Sequence, residues 1–226
     1  VAFPITNLVG YSLLTGFAAR VRKYEPHGVT YAQITKLILY NITTWWTGFL
    51  FMCGAAIAYS PDGQMLKTSD RAASFVGCGL LAIVAGYLLL AWRANGQEFK
   101  IAKMRMHFPG LRSSVTKILV SSADNLVVGL TLFVFLPGAH DVSFAKFLAY
   151  FLSAYLIALL SFIPAGWGVL EGVLLYLFRP YSSDTEILSG LVLFRVYHYL
   201  LPVAAGFIAV LARKSYMILI TPRPAA

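Results

Sequence analysis

Charge is what this sequence has least of. Asp, Glu, Lys and Arg make up 12% of its 226 residues, roughly half the share that a water-facing surface needs, and that shortage excludes an ordinary soluble domain. Cysteine is nearly absent. Cys53 and Cys78 each sit inside an apolar block with no metal-ligand spacing around them, so neither a disulfide framework nor a metal site is indicated, and both read as packing residues. Enzyme signatures are missing too: there is no HExxH, no G-x-S-x-G, no phosphate-binding loop and no dinucleotide fingerprint. No catalytic residue and no cofactor are therefore expected. There is no internal repeat, no low-complexity tract and no signal-peptide pattern of basic, apolar and cleavage regions. The chain begins at Val1 already within an apolar run. The expectation is a fragment, residues 1–226 forming a single transmembrane domain whose upstream helices are missing.

What is abundant is apolar sequence. Hydrophobic residues are 59% of the chain, with 13 Tyr and 16 Phe. They fall into long blocks rather than stripes: about Val1–Ala19, Ala32–Tyr59, Ala72–Trp92, Val115–Leu136, Phe144–Ile163 and Ile187–Ala212. Each reaches the length of about 20 residues that crosses a hydrocarbon core of roughly 30 Å. Val169–Phe178 is apolar and helix-like but only half as long, and it follows the helix-breaking run Pro164-Ala165-Gly166-Trp167-Gly168. Irregular backbone at membrane depth is tolerated only where protein or a watery cavity satisfies it, so a re-entrant turn is expected. The fold class that follows is all-α: a polytopic helical membrane protein with six spanning helices plus a re-entrant half-helix hairpin.

The net charge of +9 does not point to nucleic acid, because the basic residues lie between the apolar blocks instead of forming one groove. Their distribution gives an orientation. Arg20, Arg22 and Lys23 follow the first block; Arg93, Lys100, Lys103, Arg105 and Arg112 follow the third, with Lys117 close by; Arg213, Lys214 and Arg223 form the tail. The opposing loops hold only Lys67 and Arg71, Lys146, and Arg179. The positive-inside rule puts the first group in the cytoplasm. The alternation works only if the fifth block and the short segment go in and come back out together, which is the hairpin again. The linker 93–114 reads either as an amphipathic segment on the inner leaflet or as a solvated loop. Trp45, Trp46 and Trp92 read as interfacial anchors.

Three charges lie inside apolar blocks: Asp124, Glu171 and Arg195. A charge near the bilayer centre costs about 2.5–3.5 kcal/mol on insertion scales, so each must be paired or must face a polar path. Both readings stand: a pair that holds helices together, or groups that meet a substrate. Glu171 lies three residues beyond Gly168, in the first turn of the short helix, where the dipole favours a carboxylate and where half-helices also receive anionic groups. Pro164, Gly166 and Gly168 let backbone approach a ligand closely. Arg195 suits a phosphate, which it grips with two parallel hydrogen bonds. His198 shares its helical face and Tyr199 stands one turn on; an imidazole there either shuttles a proton or bonds a neighbouring helix. Pro202 is expected to kink this helix.

Three segments together resemble the membrane region of the lysylphosphatidylglycerol synthase/flippase family. Gly16-Phe-Ala-Ala-Arg20-Val-Arg22-Lys-Tyr24, followed by Gly28-Val-Thr30, is similar to that family's small-residue helix end and basic cytoplasmic loop. Pro164-Ala-Gly166-Trp-Gly168-Val-Leu-Glu171-Gly172 looks like its Pro-Gly-Gly-x-Gly-x-x-Glu turn, with Ala165 in place of the usual Gly. Arg195-Val-Tyr197-His-Tyr-Leu-Leu-Pro202 resembles its Arg-to-Pro helix, and Asp124 with Leu136-Pro137 suits the pattern. The resemblance implies a multi-pass protein of the bacterial inner (cytoplasmic) membrane. It further implies movement of an aminoacylated phospholipid, such as lysylphosphatidylglycerol, from inner to outer leaflet, which confers resistance to cationic antimicrobial peptides. The substrate-binding set is then Asp124, Pro164, Gly166, Gly168, Glu171, Arg195, His198 and Tyr199, with Arg20 and Arg22 at the cytoplasmic entrance. Membrane lipids, a synthase domain and a second copy are the implied partners, and nucleic acid is not. No synthase domain lies within the chain, so aminoacyl transfer is not expected of it. The rival readings are the membrane module of a lipid-modifying aminoacyltransferase and a structural or oligomerisation module.

Overall fold

The structure, a computed structural model, describes residues 21, 24–25, 28–62, 69–94, 97–101, 104–107, 109–163 and 166–209. The chain is helical nearly throughout. Among the described residues, four helices are long and apolar enough to cross a membrane: α1 (Tyr31–Tyr59), α2 (Asp70–Ala94), α3 (Leu111–Phe135) and α6 (Asp184–Ala209). Two shorter ones lie between the last pair, α4 (Phe144–Leu160) and α5 (Val169–Phe178). Four of the six expected spans are such helices among the described residues. The first apolar block lies outside the described residues, and α4 with 17 residues rises only about 25 Å.

Local chemistry sets the helix ends. The Thr30 hydroxyl accepts the Gln33 N–H while the Gln33 side chain accepts the Thr30 N–H at 2.9 Å, a reciprocal cap at the start of α1. Ser183 and Glu186 do the same for α6. Within the linker, Glu98–Ile101 and Met104–His107 form an antiparallel ribbon pairing Phe99 with Met106 and Lys100 with Arg105. Apolar residues there alternate with polar ones (Phe99, Lys100, Ile101; Met104, Arg105, Met106), the period of a strand and not of a helix.

Small residues let the long helices touch backbone to backbone, as lipid-embedded helices require in the absence of a hydrophobic drive between them. A Cβ at Gly77 of α2 would stand 2.7 Å from the Ala58 nitrogen of α1, and one at Gly190 of α6 would collide with the Phe135 carbonyl of α3. Gly48 of α1 faces Ser121 of α3, whose hydroxyl donates to the Trp45 carbonyl at 3.1 Å. At the centre is α4, buried along nine residues that include Phe147, Tyr150 and Phe151. Trp45 and Trp46 take part in packing between helices. Trp45 stacks on Phe49, ring centroids 5.0 Å apart, and meets the edge of Tyr155 of α4, while Trp92 is exposed. Cys53 packs in the core as expected, but Cys78 is exposed.

Helices α4 and α5 fold back on each other. Tyr150, in the second turn of α4, meets the ring of Phe178 at the end of α5, whereas Ala158 near the end of α4 faces Gly166 just before α5. The turn between them carries three residues at positive φ: Phe162 at 56°, Gly166 at 62° and Gly168 at 79°. Glycine takes that conformation freely and phenylalanine does not; Phe162 is 90% exposed there.

Candidate functional site

Position 171 is fixed by the turn that precedes it. The left-handed Gly168 ends the irregular segment, and its N–H donates to Glu171 Oε2 at 2.8 Å, so the carboxylate caps its own helix. The other carboxylate oxygen, Oε1, accepts from Arg195 Nε of α6. The two side chains are 18% and 11% exposed: the pair is closed and nearly sealed. A charge pair in this setting needs further hydrogen bonds to offset its desolvation, and the Gly168 N–H supplies one.

The cation has an aromatic lid. The Arg195 guanidinium carbon is 4.2 Å from the centroid of the Trp167 ring and 5.9 Å from that of Tyr199; desolvated contacts of this kind are worth about 2 kcal/mol. Trp167 comes from the same turn that places Glu171, so one loop holds the arginine from two directions. Directly after Arg195 the helix widens into a π-turn, Val196–Leu200, where the Leu201 N–H donates to the Val196 carbonyl five residues back. The cause is Pro202: it has no N–H for the His198 carbonyl, so the expected kink takes the form of this wider turn. Single π-turns inside α-helices gather at functional sites.

His198 lies flat on Phe194 with ring centroids 5.2 Å apart, and its other neighbour is the edge of Tyr199 at 4.8 Å. Tyr155 of α4 is an electrostatic neighbour of Tyr199, Arg195 and Asp124. Asp124 acts on His198 as well, although its side chain is exposed on α3. Asp124, Tyr155, Tyr199, Arg195 and Glu171 are thus neighbouring polar groups, a strip contributed by α3, α4, α6 and α5. Asp124 lies eleven residues before the end of α3 and Arg195 eleven after the start of α6, each about 16 Å along its helix, near the middle of a core roughly 30 Å thick.

Of the residues singled out from sequence, the fold brings together Gly168, Glu171, Arg195, His198 and Tyr199, with Asp124 at the edge. Gly166 contributes close packing against Ala158. Pro164, Arg20 and Arg22 lie outside the described residues. Trp167 and Tyr155 belong to the site but were not read from sequence; the spacing of Trp167 within the Gly-x-Gly turn was the available signal for the first, and the second had none. A separate ion pair also went unread. Lys146 Nζ lies 2.8 Å from Asp62 Oδ2, which also accepts the Tyr150 hydroxyl at 2.5 Å, tying the loop after α1 to the start of α4 at the end opposite the linker.

Comparison with known proteins completes the description. The sequence profile of the lysylphosphatidylglycerol synthase transmembrane region matches residues 27–206. The chain is 30% identical over 208 residues to the uncharacterized protein slr0712 of Synechocystis sp., covering 91% of this chain and 64% of that protein. It is 28% identical over 215 residues to the inner membrane protein YbhN of Escherichia coli, covering 92% of this chain and 66% of that one. The chain thus spans just under two thirds of the length of these relatives.

Proposed function

The chain belongs to the family of the lysylphosphatidylglycerol synthase transmembrane region, and from that premise we propose that it is a flippase-type module of the inner membrane, moving an aminoacylated phospholipid from the inner to the outer leaflet. Lysylphosphatidylglycerol is the type substrate. Its display on the outer surface lowers the attraction of cationic antimicrobial peptides, because the lipid carries positive charge.

The observation that carries this reading is the Glu171–Arg195 pair, held where α4 and α5 turn back on each other. The α4–α5 unit is read as a re-entrant hairpin that enters and leaves by the outer side. A zwitterionic or cationic headgroup offers both a phosphate and an ammonium. Its phosphate takes the place of Glu171 on Arg195, and an acid, Glu171 or Asp124, receives the ammonium. Charge pairing is conserved through that exchange, so the headgroup passes the apolar middle without an unpaired charge and its acyl chains stay in lipid. Trp167 and Tyr199 keep the guanidinium shielded while its partner changes.

The test is outer-leaflet display of the lipid in cells carrying Glu171→Gln or Arg195→Ala. Each is expected to lose display at least tenfold while remaining folded and membrane-inserted; unchanged display in both variants would overturn the assignment. The closed geometry of the pair favours one second reading, an ion pair that only fastens α5 to α6. In that case the double exchange Glu171→Arg with Arg195→Glu restores what either single change removes, whereas a headgroup site made of the same two residues stays inactive.

A further inference from the structure

Two carboxylates stand near mid-depth, and their surroundings divide the work between them. Both oxygens of Glu171 are engaged, one by the Gly168 N–H and one by Arg195. Asp124 is the opposite case. It is exposed on α3 between Val120 and Val127, themselves 63% and 60% exposed, a surface whose composition faces lipid. Among the described residues it makes no hydrogen bond and no salt bridge. A carboxylate in such a place is costly unless a cation comes to it. Its electrostatic neighbours are Tyr155 and His198, and Tyr155 in turn neighbours Tyr199 and Arg195. At the far end, Arg195 holds Glu171 Oε1 through both Nε and Nη2.

We propose that Asp124 is the cation subsite that selects the headgroup: it receives the primary ammonium of an aminoacylated phospholipid arriving sideways from the bilayer, while the phosphate exchanges with Glu171 on Arg195. This rests on the translocation reading above and assigns the ammonium to one of its two acids. Glu171 serves as the resting counter-ion of Arg195. A phospholipid without an amine, such as phosphatidylglycerol, gives Asp124 nothing to pair with and brings a negative charge into its field. The acid thus discriminates against the unmodified lipid at the mouth of the strip.

Wild type, Asp124→Asn and Asp124→Glu of the full-length protein, reconstituted in phospholipid vesicles with trace fluorescent lysylphosphatidylglycerol or phosphatidylglycerol, decide the point through protection from a membrane-impermeant quencher. Asp124→Asn is expected to slow the lysyl lipid at least tenfold and to speed phosphatidylglycerol, with Asp124→Glu retaining most of the lysyl rate and the discrimination. Equal slowing of both lipids, or no slowing of the lysyl lipid, overturns the subsite. Equilibrium binding of the same two lipids to the detergent-purified proteins, followed by Trp fluorescence, separates this from the parent reading. If the wild type moves neither lipid, translocation fails, yet a tenfold weaker affinity of Asp124→Asn for the lysyl lipid alone still supports the subsite, and unchanged affinity overturns it.

Discussion

A single hydroxyl shows how much one residue can tie together. Tyr150 is 1% exposed; its ring meets Phe178 of α5 edge-on and its hydroxyl donates to Asp62, which Lys146 also holds. Removing only that hydroxyl in Tyr150→Phe leaves Asp62 one donor short, and a hydrogen bond to a charged group is worth about 1.5–3 kcal/mol. A lower thermal-unfolding midpoint in detergent is the expected result, with lipid movement retained, since Tyr150 is remote from Glu171 and Arg195. Residues of this kind are hard to read from sequence. Asp62 and Tyr150 are 88 positions apart, and an acid in a loop draws no notice. Glu171 and Arg195 were legible for the opposite reason: a charge inside an apolar run has no bland explanation at the level of composition.

At the scale of elements, the helix that carries Arg195 is shaped by a proline seven residues further on. Pro202→Ala supplies the N–H that the His198 carbonyl lacks and removes the reason for the π-turn at Val196–Leu200. The turn should tighten to ordinary α-geometry, rotating His198 and Tyr199 relative to Arg195. The expected outcome is unchanged or higher helical content and thermal stability by circular dichroism, with lipid translocation reduced several-fold. Equal activity in the variant would mean that the wider turn has no part in the site. The elements themselves were visible as apolar blocks, but their ends were not. Helix α3 begins at Leu111, not near Val115: its first turn holds Arg112, Ser113 and Ser114, which interrupt hydropathy without interrupting the helix.

For the whole molecule, orientation follows from charge, and the packing bears on it. Asp62, Lys146 and Tyr181 gather at one end, whereas the ribbon 98–107 joins α2 to α3 at the other. With Cys53 and Cys78 replaced, a thiol introduced by Ser182→Cys should react with a membrane-impermeant maleimide added outside intact cells, and one introduced by His107→Cys should react only after permeabilisation. The reverse pattern would invert the topology and with it the direction of transport. Sequence by itself determined that this chain lives in lipid, where its long helices run and which charges are out of place there, because hydrophobic length and the cost of a buried charge are local properties. Only the tertiary structure decided that Glu171 faces Arg195 under Trp167, that Tyr155 joins the polar strip, and that Asp124 is left open on the surface. Those facts depend on how α3, α4, α5 and α6 cross, and crossings are set by shape contacts such as Gly190 against Phe135, which carry no signal along the chain.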